Sequence, residues 1–239
     1  MGVFRRGKRS GEDTEPDGTG TGDTEQVVQD RSEVTSHERG PWDVSEMLDR
    51  GRRVDLGALW LPGREGMELR MEIEKTSKIV SAAAVSLKGS ALQLQVFAAP
   101  RTEGIWDEIR AEIAESVTKQ GGSVDDLPGP FGRELLARLP VRTTEGRTGH
   151  RPARFIGHDG PRWFLRGVLT GRAAIDTQDA TELEDVFGDV VVIRGSEPRA
   201  PRDLLPLTMP GQRPVPAVVP TTAAPFDPLK RGPEITEIH

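Results

Sequence analysis

Hydrophobic and polar residues alternate strictly in "MELRMEI", where Met67, Leu69, Met71 and Ile73 fall on one side and Glu68, Arg70, Glu72 and the following Glu74 on the other. A period of two is that of a strand with one face on a core and one in water. Apolar runs flank it: "RVDLGALWL" before, "KIVSAAAVSL" after, and "SALQLQVFAA" beyond a "KGS" turn. The brief connections "PGREG" and "EKTSK" predict antiparallel neighbours. In the last run Leu92, Leu94, Val96 and Ala98 face inward, while Gln93 and Gln95 face a wetter side.

The period then changes. In "TEGIWDEIRAEIAESVTKQGG", Ile105, Ile109, Ile113 and Val117 form a helical stripe with Trp106 beside it. Pro100 and Thr102 mark its start, Asp107 and Glu108 suit its positive end, and Lys119, Gly121 and Gly122 close it. "FGRELLARLPV" and the hairpin "RPARFIGHDGPRWFLRGVLTG" predict three further strands. "DTQDATELEDVF" predicts a short helix buried through Ala180, Leu183, Val186 and Phe187, with Asp176 or Asp179 as its cap, and "DVVVIRG" a closing strand. The order of strands, helix, strands, helix, strand predicts an α+β domain, a twisted antiparallel β-sheet covered by helices.

Placing the hairpin loop at His158 to Pro161 pairs Gly157 with Arg162, Ile156 with Trp163, Phe155 with Phe164 and Arg154 with Leu165. One face then carries Phe155, Phe164, Arg166 and Val168, and the other Arg154, Ile156, Trp163, Leu165 and Leu169. Both faces are largely apolar, which predicts strands inside the sheet. Arg154 and Arg166 are misfits, because a guanidinium on an apolar face needs a carboxylate, carbonyls or an aromatic plane. Acids of the short helix, or the Trp163 ring beneath Arg154, are the structural partners; an anion-binding spot is the functional alternative.

An apolar share of 35% suits a chain of which part stays unfolded. Residues 1–39 are expected to be a disordered acidic tail, 40–196 the core domain and 197–239 a proline-rich, largely disordered arm. Within that arm "RDLLPLTMP" is apolar enough to lie on the domain or dock onto a partner. Gly18, Gly20 and Gly22 follow no strand and open no helix, so they read as linker. The start "MGVFRRGKRSGEDTEPDG" lacks the apolar run of a secretory signal, and no window could span a bilayer. The expectation is a soluble cytoplasmic protein without membrane association.

Catalytic constellations are hard to assemble. The chain has no cysteine and four histidines; His37 lies in the acidic tail and His239 ends the chain. His150 and His158 share one strand, about 26 Å apart at roughly 3.3 Å per residue, too far to share a metal. His158, next to Asp159 and Gly160, reads as a turn residue. No serine sits in a G-x-S-x-G elbow, and Ser90 reads as a turn residue. Glu182, Glu184, Asp185 and Asp189 read as a solvated helix face. No catalytic residue, metal or cofactor is therefore expected. The expectation is a binding or accessory protein that meets a protein partner, with Trp106 and the C-terminal arm as contact regions.

A second reading comes from charge. Between Phe131 and Arg172 stand nine arginines and three acids, although the whole chain carries a net charge of -6. Basic strands interleaved with aromatics can bind single-stranded nucleic acid or another polyanion. The candidate binding surface is Arg151, Arg154, His158, Arg162, Trp163 and Arg166, with Trp106.

The segments "GPWDVSE", "RVDLGAL", "GMELRMEIE", "ALQLQVFAAPRTEGIWDEIRAEIA", "GPFGRELLARLPV", "RPARFIGHDGPRWFLRGVLTGRAA" and "DVVVIRGSEPRAPRDLLPL" resemble, in order, the actinobacterial family DUF 3710. That resemblance spans about 40–207 and implies no activity, because the family brings no catalytic residue or substrate with it. Residues 91–194 also resemble the PsbP fold in their strands, "GIWDEIRAEI" helix and "RWFLRGVLTG" strand, which implies binding and assembly instead of chemistry.

Overall fold

The computed structural model describes residues 39–101, 104–142 and 148–212. The tail expected at 1–39 and the end of the arm lie almost wholly outside the described residues. Among those described, the chain is mostly β, with two sheets and two α-helices. This corrects the expected α+β sheet covered by helices: much of what covers the main sheet is a second sheet.

The main sheet has seven strands. In chain order they are β4 (Glu68–Ile73), β5 (Val80–Leu87), β6 (Ser90–Ala98), β7 (Ser123–Gly129), β8 (Gly132–Arg142), β9 (Thr148–Gly160) and β10 (Trp163–Thr170). Their spatial order is β4-β5-β6-β10-β9-β8-β7, and every pairing is antiparallel. The alternation expected in β6 holds: Leu92, Leu94 and Val96 are fully buried. The hairpin faces also hold, but the register differs. Gly160 pairs with Trp163, and Phe155 meets Val168 instead of Phe164. Arg162 adopts a left-handed φ of 63° after Pro161, which closes a two-residue turn nearer the C-terminal end of the loop than expected. The shift is even, so each side chain keeps its face.

The small sheet is built from β1 (Trp42–Asp43), β2 (Val54–Asp55), β3 (Leu59–Leu61) and β11 (Val191–Val192), in the order β1-β11-β3-β2. The closing strand therefore does not join the main sheet. Leu59, Leu61 and Val192 enter one core with Val85, Leu94, Leu165 and the buried stripe of α2 (Thr177–Gly188). That stripe is Ala180, Leu183, Val186 and Phe187, and the Asp176 side chain caps the helix by accepting from the Gln178 and Asp179 amides.

The segment "RDLLPLTMP" lies on the domain. Strand pairing between β5 and β6 ends at Ala83 and Leu94, and the chain fills the gap beyond: the Leu205 amide donates to Val96 O at 2.8 Å and the Leu207 amide to Val80 O at 2.9 Å. Leu205 and Leu207 are buried there, which explains why so proline-rich a stretch is held: it fills the opening between two strands whose backbone donors and acceptors would otherwise be unpaired.

The helix α1 (Trp106–Lys119) packs on the opposite face of the main sheet, over β7, β8 and β9. Its N-terminus has no local cap. Asp159, from β9, accepts from the Ile105 amide at 2.8 Å and the Trp106 amide at 3.2 Å. The Trp106 ring stacks on Phe164 at 5.6 Å, and Gly157 beneath it leaves no room for a β-carbon. Because α1 covers only this part of the face, the rest stays open.

Candidate functional site

The open part of that face is a trough of about 750 Å³. Strand alternation builds its floor: Gln93 of β6, Arg166 and Val168 of β10 and Phe155 of β9 all line it, as the registers require, and Gln95 pairs with Arg166 on the same face. Ala84, Ala91 and Ala153 supply the space, since short side chains among long ones leave a hollow. Arg70 and Glu72 from β4 line one side, and Leu139, Val141 and Arg151 the other. The stacked rings of Phe97, Phe164 and Trp106 close the end nearest α1.

Arg166 is the unusual member of this floor. It donates through Nη2 to Gln95 Oε1 and lies over the Phe97 ring at 5.3 Å. Among the described residues it has no carboxylate partner, and its Nε is buried without an acceptor. Burial pushes its pKa below the ordinary arginine value, with no nearby acid to oppose the shift. The one trough carboxylate, Glu72, accepts from Gln93 Nε2 at 2.5 Å.

Arg154 has the opposite fate. The pleat sends it to the core face, where it is 6% exposed and pairs with Glu134 at 3.1 Å and Glu184 at 2.6 Å. Glu184 thus leaves the solvated helix face on which sequence placed it, and ties α2 to the sheet. Desolvation raises the pKa of Glu134, although Arg154 opposes the shift. Glu134 Oε2 is buried and unpaired.

The remaining sequence candidates scatter. Trp163 is buried and donates from Nε1 to Asp43 Oδ2 at 2.7 Å, a tie between the two sheets that no local pattern signals. His158 sits 5.9 Å from the Trp163 ring, on a strand and not in a turn. Arg162 donates to Gly195 O at 3.2 Å. Trp106 is buried, bonded to Arg133 O at 2.7 Å and lying under Arg110. Of the seven candidates, only Arg166 and Arg151 share the trough. Ser90 is no turn residue: it starts β6, is buried, and accepts from the Ala173 amide at 3.1 Å.

Among the described residues, four of the nine arginines of the Phe131 to Arg172 stretch are matched by acids inside the molecule. Arg133 pairs with Asp126, Arg138 with Asp125, Arg154 with its two glutamates and Arg172 with Asp179. Sequence reasoning missed β7, whose acids supply two of these partners. Among the described residues no group of His, Asp and Glu is arranged to hold a metal ion, and no helix is long and apolar enough to cross a membrane.

The model of one protein family, described as "Protein of unknown function (DUF3710)", matches residues 40–214, and the chain belongs to that family. No curated protein matches it.

Proposed function

We propose that this member of the DUF3710 family is a non-enzymatic binding protein, and that it binds an anionic ligand in the trough around Arg166. One observation carries the reading: a half-buried guanidinium held by an amide and a ring, with no acid among the described residues to balance it. Proteins seldom leave a desolvated charge unpaired, because its cost falls on the fold. A ligand anion would supply the missing partner.

Other features favour binding over chemistry. Sheet alternation turns His150 and His158 away from the trough, so its hydroxyls, Ser86 and Thr170, meet no imidazole there. A protein partner was expected to use Trp106 and the C-terminal arm. Trp106 and the Leu205 to Leu207 stretch are instead spent on the domain's own packing. Polyanion binding draws less support than the trough does, since four of its arginines already face acids.

The test is stability without ligand. Replacing a buried charge that serves function with an apolar side chain of similar length relieves the fold. Arg166→Met is expected to raise unfolding stability by about 1–2 kcal/mol in urea denaturation. A loss of about 1 kcal/mol or more would make Arg166 a structural residue and remove the basis of the proposal.

A further inference from the structure

We infer that the ligand is an amphipathic monocarboxylate, its head on Arg166 and its apolar chain laid along the sheet over Val168 and Phe155; this rests on the binding role proposed above. The head-group argument is charge complementarity. Three arginines and one glutamate line the trough, and the glutamate is engaged by Gln93. Only Arg166 stands on the floor, since Arg70 and Arg151 come from the flanks. One unbalanced floor cation calls for one negative charge, and the guanidinium fork suits a carboxylate. A nucleic acid would need a row of free cations along its backbone.

The body of the ligand follows from the walls. Arg166 sits two residues along β10 from the Phe97 and Phe164 pair, the next position on the same face, so the aromatic cluster blocks one direction. In the other direction the floor runs over Val168, Phe155, Ala153 and Ala91 toward Thr170, with Leu139 and Val141 beside it. From Arg166 to Thr170 is about 13 Å at roughly 3.3 Å per residue, the length of a decanoate ion. The volume of about 750 Å³ lies within the usual range of small-molecule sites.

The experiment is calorimetric titration of the full chain with decanoate, octanoate, decanol, succinate and inorganic phosphate, all below micellar concentrations. Decanoate is expected to saturate one site, and affinity should fall about fourfold for each methylene lost on going to octanoate. Decanol, which lacks the charge, should bind ten- to a hundredfold more weakly than decanoate. In Arg166→Met that preference should shrink to about threefold or less, and Arg166→Gln should give the same result. Val168→Trp, which fills the trough and spares the arginine, should abolish decanoate binding. Retained binding in Val168→Trp would overturn the inference. Arg166-dependent binding of phosphate or succinate, with none of decanoate, would overturn the ligand class and leave the site standing. Affinities unchanged by either arginine substitution would sink both.

Discussion

Arg154→Met is the perturbation whose cost can be worked furthest. The arginine lies between two carboxylates in the core, with Glu134 6% and Glu184 12% exposed at the side chain. Methionine fills much of the same volume, so the loss is electrostatic and not a cavity. Removing one partner of a buried ion pair typically costs about 3–5 kcal/mol, because the remaining charge stays desolvated. Two orphaned acids place this site at the upper end. The pH dependence follows from Glu134, whose folded pKa is already raised by burial. A raised carboxyl pKa contributes stability below the unfolded value, and that contribution is lost as pH rises through the folded value. Arg154 opposes the rise, so its removal lifts the Glu134 pKa further and widens this window. Urea denaturation of Arg154→Met is therefore expected to show a deficit of about 4 kcal/mol near pH 7 that narrows toward pH 4. A deficit under about 1 kcal/mol, or one constant across that range, would refute the reasoning.

The same acid gives a second prediction: Glu134→Gln, which cannot ionise, should gain stability relative to wild type as pH rises from 4 to 7, and an opposite slope in paired melts would reverse the assignment. Asp159→Ala removes the borrowed cap of α1 and should cost about 0.5–2 kcal/mol, with early loss of helical signal in urea. Gly157→Ala puts a β-carbon into the Trp106 ring and 2.8 Å from Phe164 Cε2, and should cost about 1–3 kcal/mol with a shifted Trp106 fluorescence. Trp163→Phe leaves Asp43 Oδ2 without its buried donor and should cost about 1–3 kcal/mol, measured by chemical denaturation.

Long periodic stretches were legible in the sequence. The buried stripe of α2, the inward residues of β6 and the two faces of the β9 and β10 hairpin follow from periods of 3.6 and 2, which one chain segment carries by itself. The small sheet was not legible as a sheet of its own: "RVDLGALWL" and "DVVVIRG" read as strands, but β1, β2 and β11 are two residues each, too short to carry a period that shows what they pair with. Nor was β7, an edge strand written with two acids and Pro128. These omissions are why a sheet-on-sheet core was read as helices over one sheet. For the site, sequence marked Arg154 and Arg166 alike as misfits on apolar faces. Only the third dimension separates them, since the acids that answer Arg154 come from β8 and α2, and no acid of the described residues reaches Arg166.

The most direct measurement is an NMR titration of the isotope-labelled full chain with decanoate, following backbone amides and the Arg166 Nε–H signal together. The account predicts saturable shifts at Gln93, Phe155, Arg166 and Val168, on the trough floor, with Leu59 and Val192 on the far side of the core unmoved. Shifts confined to residues outside the trough, or an Arg166 signal that stays fixed while other sites saturate, would contradict it.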